Sequence, residues 1–195
     1  MIKKILITGG ACAGKTTSIE KIKEYLESKN YKVLVAKEAP TFLINSGFKP
    51  EKMGRKNFIK MVLEVQLNLK RYYDEYAKKG GNEVIILDGG PLDNMKFIPK
   101  FELENMMKDF NIKCDEILNW YDGIIHLETV AKTDLNMYNT ESNPARTNNA
   151  EESVKRDDVL LDVYKNHRKR FVVKSNPNFD EKIKEVLDAV NKIMK

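Results

Sequence analysis

The chain has 195 residues, 42% of them hydrophobic and 32% charged, and a formal net charge of +5. That length suits one domain, residues 1–195, with a full core, and no apolar run approaches the roughly 20 residues of a membrane helix, which argues against a membrane partner. The lysines are spread along the chain among acidic neighbours, with no basic block interleaved with aromatics, so nucleic acid is not the expected partner.

The opening Met-Ile-Lys-Lys-Ile-Leu-Ile runs into glycines where a signal peptide would have its cleavage site, and this predicts a cytoplasmic protein. Cys12 and Cys114 are far apart and form no CxxC pair, so both are expected as thiols.

In chain order, Lys4 to Thr8 reads as a buried first strand bounded by Gly9-Gly10. A helix is expected from Lys15 to about Ser28, with Ile19, Ile22, Tyr25 and Leu26 on one face, then a second strand from Tyr31 to Ala36. From about Gly54 to Lys79, Phe58, Met61, Val65, Leu69, Tyr72 and Tyr76 recur at steps of three and four, which predicts a long amphipathic helix ended by Gly80-Gly81. Glu83 to Asp88 is a third strand, followed by short helices at Phe101 to Lys108 and Asp115 to Trp120 and a fourth strand at Gly123 to Glu128.

Val130 to about Asn149 is polar and irregular, too long for an ordinary connection, and reads as a lid-like segment. A helix from about Ala150 to His167, a strand at Arg170 to Lys174 and a helix from Phe179 to Met194 complete the chain. The last helix has its expected stripe at Phe179, Ile183, Val186, Leu187, Val190 and Ile193. Strands alternating with helices define an α/β fold with a mostly parallel sheet covered on both faces, whose ligands bind at the carboxyl ends of the strands.

Gly9-Gly10-Ala11-Cys12-Ala13-Gly14-Lys15-Thr16 fits GxxxxGK[ST] between an expected strand and an expected helix. Small residues let backbone N–H groups converge on an anion, the helix start adds partial positive charge, Lys15 neutralises the β/γ-phosphates, and Thr16, with Thr17 beside it, offers a hydroxyl towards Mg²⁺. Asp88, ending the run Val84-Ile85-Ile86-Leu87, has the form of a second Mg²⁺-shell residue. Asp93 either supports the metal's waters on the acceptor side or caps a helix.

Glu38, before Ala39-Pro40, is placed to accept a proton from an attacking hydroxyl, and Arg146 in the polar segment to offset charge on a transferring phosphoryl group. His126 reads as a packed sheet histidine and His167 as a helix-end residue.

These motifs resemble one AAA-type P-loop family. The match continues through Glu38-Ala39-Pro40, Asp88-Gly89-Gly90-Pro91-Leu92-Asp93, Tyr121-Asp122 to His126-Leu127, Asn143-Pro144-Ala145-Arg146, Glu151-Glu152, Asp157, Tyr164 and His167. The family includes the ribosylnicotinamide kinase domain of a bacterial nicotinamide-salvage regulator and a eukaryotic GTP-binding protein known from a Trpl-translocation defect. The resemblance implies a P-loop NTPase fold like the nucleotide and nucleoside kinases, with five strands in the order 2-3-1-4-5. It also implies Mg²⁺ with ATP or GTP, a small-molecule acceptor, Lys15, Thr16 and Asp88 as phosphate and metal residues, and Arg146 as the lid arginine. Gln66 matches a family glutamine that contacts the acceptor.

One departure stands out. The family shows Asp-Arg-Gly where this chain has Asp88-Gly89-Gly90. Two functions follow as expectations: a phosphotransferase acting on a nucleoside-like hydroxyl, or an ATP/GTP-binding switch acting through a partner surface. Guanine preference has weak support, because Ala131-Lys132-Thr133-Asp134 carries only the K-x-D part of the usual [NT]KxD element.

Overall fold

A computed structural model of the chain describes residues 2–133, 138 and 149–195. Five strands form one sheet: β1 (Lys3–Gly9), β2 (Lys32–Ala36), β3 (Glu83–Asp88), β4 (Gly123–Leu127) and β5 (Arg170–Val173). Their order is β2-β3-β1-β4-β5 and every pairing is parallel, with Ile7 opposite Asp88 on one side of β1 and opposite Ile125 on the other. The phosphate-loop sequence therefore leaves the central strand, at the point where the strand order reverses and the crevice for a ligand opens.

Eight α-helices are described, among them α1 (Lys15–Ser28), α2 (Ala39–Asn45), α3 (Pro50–Met53), α4 (Arg55–Ala77), α5 (Lys100–Lys108), α6 (Cys114–Ile117), α7 (Ala150–Val163) and α8 (Phe179–Met194). Alternate residues of β1 serve the two faces of the sheet. Ile5 and Ile7 pack with Ile19, Ile22, Val186, Val190 and Ile193 of α1 and α8, whereas Leu6 packs with Ile59, Leu63, Leu103 and Ile117 of α4, α5 and α6. None of the described helices is long and apolar enough to cross a membrane, and neither cysteine is in a disulfide.

Several expectations are corrected. In α4 the buried residues are Phe58, Ile59, Val62, Leu63 and Leu67, and Tyr72 of the expected stripe is 59% exposed. Both stripes of α4 are apolar, and the helix turns one to the sheet side while Met61 and Val65 pack around α2.

Helix α2 was not foreseen; Glu38 precedes it and Pro40 lies in its first turn, where a missing N–H costs nothing. Helix α7 ends at Val163 rather than His167, because Tyr164 and His167 turn inward and are buried. The irregular stretch begins with a 3-10 turn at Val130–Lys132, capped by the Thr129 side chain. In α8 the surprise is Lys182, which is 2% exposed, while Phe179 is 38% exposed.

Candidate active site

The chain between β1 and α1 is built for close approach. Gly9 has φ 139°, and a Cβ there would stand 2.0 Å from the Leu127 carbonyl oxygen, so only glycine fits beside β4. Cys12 and Gly14 both have left-handed backbone, with φ 55° and 75°. Left-handed residues interleaved in such a loop turn successive N–H groups to one side and form an anion-binding concavity. The Lys15 ammonium donates to the carbonyls of Gly9 (3.0 Å) and Gly10 (2.7 Å) and so lies folded over the loop. Thr16 and Thr17 are exposed on the first turn of α1, and Ala13 is buried in the core cluster of β1, α1 and α8.

Two residues from the far end of the chain fasten the first half of this loop. The Gly10 N–H donates to Asp157 of α7 at 2.7 Å, and the Thr129 hydroxyl donates to the Ala11 carbonyl at 2.6 Å. Asp157 is completely buried. His126 Nε2–H donates to it at 2.9 Å, and the Lys132 ammonium lies 2.8 Å from its other oxygen and 2.7 Å from Asp158. Burial works to raise the Asp157 carboxyl, but His126 and Lys132 outweigh it and hold it below the usual carboxylate range. His126 is thus a packed histidine, as expected, though one joined to the loop through Asp157. Lys132 of the K-x-D element is engaged in these ion pairs, and Asp134 lies outside the described residues.

On the other flank of β1, Asp88 ends β3. One of its carboxylate oxygens, Oδ1, is buried with no hydrogen-bond partner among the described residues. Burial pushes the carboxyl up to about 6, with Lys15 pulling it down and Glu38 and Asp93 pushing it further up. The carboxyl ends of the parallel strands β1, β2 and β3 bring Lys15, Glu38 and Asp88 to one end of the sheet. A hydroxyl and a carboxylate are the hard oxygen donors that suit Mg²⁺, and an orphaned buried oxygen that resists ionisation alone is what a cation would satisfy; Thr16 and Asp88 fit that ion. Glu38 is half-buried and accepts a 2.6 Å hydrogen bond from Thr41, which orients its carboxylate.

Asp93 is placed differently from its acceptor-side expectation. It is 6% exposed, and its two oxygens accept from Thr8 (2.9 Å) and Tyr164 (2.6 Å), so it braces the wall beneath Asp88 and caps no helix.

Gln66 does line a cleft beside Asp88, together with Lys37, Gly89, Trp120 and Tyr121, and its side-chain carbonyl accepts from Asn94 at 3.0 Å. The cleft encloses about 20 Å³, on the order of one water. Gly89 has φ 79°, a left-handed backbone that suits glycine where the resemblance leads one to expect arginine. Arg146 and Asn143-Pro144-Ala145 lie outside the described residues.

Asp157 and Thr129 as loop anchors, and Lys182, were not singled out from sequence. Lys182 donates to the Glu128 carbonyl at 3.3 Å, and burial pulls its ammonium below the usual lysine range. In the sequence it reads as one more charge on an amphipathic helix, and no local signal distinguishes it.

An all-parallel sheet of this strand order, with a GxxxxGK[ST] loop on its central strand, defines a P-loop nucleotide-binding domain with a kinase-like fold. The chain belongs to the AAA domain family, whose model matches residues 4–182. A comparison with curated proteins gave no match. Among solved structures it is similar in fold to deoxyadenosine kinase from M. mycoides with bound dATP, at 17% sequence identity and a TM-score of 0.65, over 97% of this chain and 99% of that one.

Proposed function

We propose that the protein is a Mg²⁺-dependent, ATP-binding or GTP-binding phosphotransferase that moves a γ-phosphoryl group to a small, hydroxyl-bearing, nucleoside-like acceptor. The observation that carries this reading is the gathering of Lys15, Asp88 and Glu38 at the carboxyl ends of three adjacent parallel strands, with an oxygen of Asp88 buried and unpartnered among the described residues. The fold shared with a kinase that holds dATP supports it.

In this reading the loop amides of residues 11–16 bind the phosphate chain, and Lys15 leaves the Gly9 and Gly10 carbonyls to neutralise the β/γ-phosphates. Thr16 and Asp88 would hold Mg²⁺, which would supply neutralisation of the charge on the phosphates. The acceptor hydroxyl lies between the cleft lined by Gln66 and Gly89 and Glu38, whose chain neighbours Lys37 and Ala39 line that cleft, and Glu38 takes its proton as its oxygen bonds to the γ-phosphorus. The bond to the β–γ bridging oxygen breaks, and the nucleoside diphosphate leaves with that electron pair. Because the cleft encloses only about 20 Å³, acceptor entry requires its walls to part.

The test is product formation from Mg-ATP or Mg-GTP over a panel of nucleosides, with wild type, Lys15→Ala and Glu38→Gln. Glu38→Gln is expected to lower kcat by about 10²-fold or more with nucleotide affinity little changed. Turnover by Lys15→Ala at the wild-type rate would overturn the reading.

Gly89, left-handed and without a side chain where the resemblance implies arginine, favours a second reading, a nucleotide-binding switch with little transfer activity. Tight nucleotide binding with no product on any acceptor is the outcome that selects it.

A further inference from the structure

The hydrogen bond from Gly10 to Asp157 joins residues 147 positions apart, and it is one of the most completely desolvated polar contacts at the site. A backbone N–H in a phosphate loop has two possible uses, towards a bound anion or towards the protein. Gly10 is committed to the second. A Cβ at Gly10 would come within 2.8 Å of Thr129 Cβ and 3.0 Å of the Asp157 carboxylate, so the loop here is pressed directly against α7 and the end of β4.

We propose that Asp157 is the positioning residue of the phosphate loop: by drawing the Gly10 N–H inward, it fixes the turn that leaves the later N–H groups, from Ala11 to Thr16, facing a nucleotide. This rests on the nucleotide-binding part of the reading above and not on acceptor transfer.

The surroundings of Asp157 are arranged to keep it in that task. A buried carboxylate with a single neutral partner would be protonated or would rotate. Asp157 instead has His126 on the oxygen that Gly10 uses and Lys132 on the other, so both its charge and its rotation are held. The other charged groups facing it are Lys182 from α8, which attracts it electrostatically, and Asp158 and Glu128, which share Lys132 with it. Thr129 adds a second pin one residue along, at the Ala11 carbonyl, and also lies 3.2 Å from Ser153 of α7.

With both pins on one side, residues 10 and 11 cannot rotate as the chain passes into the left-handed Cys12 and Gly14. Asp157 touches no phosphate in this arrangement. Its influence passes through backbone geometry.

The experiment is a titration of purified Asp157→Ala and wild type with Mg-ATP and Mg-GTP by calorimetry, with folding checked by circular dichroism and cooperative thermal melting. Loss of a hydrogen bond to a charged group predicts a Kd raised about tenfold or more for the folded variant. A purely structural role would lower the melting temperature and leave the Kd of the folded fraction within about twofold, and that result overturns the proposal.

Asp157→Asn keeps the volume and one acceptor oxygen for Gly10 but loses the ion pair with Lys132. It is expected to bind more tightly than Asp157→Ala and about threefold or more weaker than wild type. If Asp157→Ala does not fold, Asp157→Asn decides alone, and wild-type affinity in that variant overturns the proposal. Absence of nucleotide binding by wild type would instead sink the functional reading, so the two failures are distinct.

Discussion

The Tyr164 hydroxyl donates a 2.6 Å hydrogen bond to Asp93 across 71 residues of sequence, and Tyr164 is fully buried. Asp93 lies in the 3-10 turn Pro91–Lys96 that follows Asp88, so this bond ties the end of α7 to the segment that carries the proposed metal carboxylate. Tyr164→Phe removes the donor and leaves a buried carboxylate oxygen without it. The expected cost is about 2 kcal/mol of unfolding free energy, read from urea denaturation at constant slope. A loss below about 0.5 kcal/mol would show that the bond adds nothing to folding.

Asp88 predicts a pH dependence of opposite sign for stability and for ligand binding. Its carboxyl is raised to about 6 from 3.8, chiefly by burial. A group whose folded value is raised favours the folded state at low pH, fully below about 4, and loses that contribution as pH climbs through about 6. Unliganded wild type should therefore lose stability relative to Asp88→Asn between about pH 4 and 6, by at most about 3 kcal/mol. In the proposed reading Mg-nucleotide needs the ionised carboxylate, so its affinity for wild type should rise over the same window and flatten above about pH 7. Asp88→Asn corrects for protons on the nucleotide itself. Identical pH profiles in the two proteins would remove Asp88 from the metal site.

How much of this was visible in the sequence follows from the distance over which each contact is made. Gly9 to Thr16 is a local signature whose strand, turn and helix are contiguous, and the buried runs of Ile5 to Ile7 and Val84 to Ile86 announce strands covered on both faces. The strand order came from resemblance and not from pattern, since periodicity says nothing about which strands are neighbours.

In α4 the pattern permitted two apolar stripes, and only packing against the sheet on one side and α2 on the other selects between them. Asp157 and Thr129 were beyond local reading for a simpler reason. Their partners, Gly10 and Ala11, lie 147 and 118 residues away, and although Asp157 falls on a position of the resembled family's pattern, nothing local to either residue points to the loop.

Gly89 gives a prediction about why arginine is missing from this cleft. Its φ of 79° is strained for any residue with a side chain, yet a Cβ would meet only Asp93 Oδ2, at 3.4 Å, an ordinary contact. Gly89→Arg should therefore fold, at a cost of about 1–2 kcal/mol from the left-handed backbone alone. Chemical denaturation measures it. A cost near zero would mean the turn relaxes freely, and an unfolded variant would mean that the space beside Asp93 is smaller than the contact distance implies.

Trp120, the sole tryptophan of the chain, offers a direct view of acceptor entry. Its ring lines the cleft and lies 4.5 Å from the Lys70 ammonium, which also pairs with Asp74 at 2.5 Å. A cation over an indole face is a weak contact at a partly exposed site, about 0.5–1 kcal/mol, so acceptor binding energy is ample to break it. The cleft is small, about 20 Å³, so the proposed acceptor would have to displace part of its lining, Trp120 and Lys70 included. Intrinsic fluorescence should thus change on titration with the acceptor found by product assay, and Lys70→Met should speed entry by removing the contact. In the proposed reading Mg-nucleotide sits on the phosphate-loop side of Asp88, and alone it should leave the emission nearly unchanged. A large response to nucleotide with none to acceptor would place the acceptor away from this cleft and from Gln66.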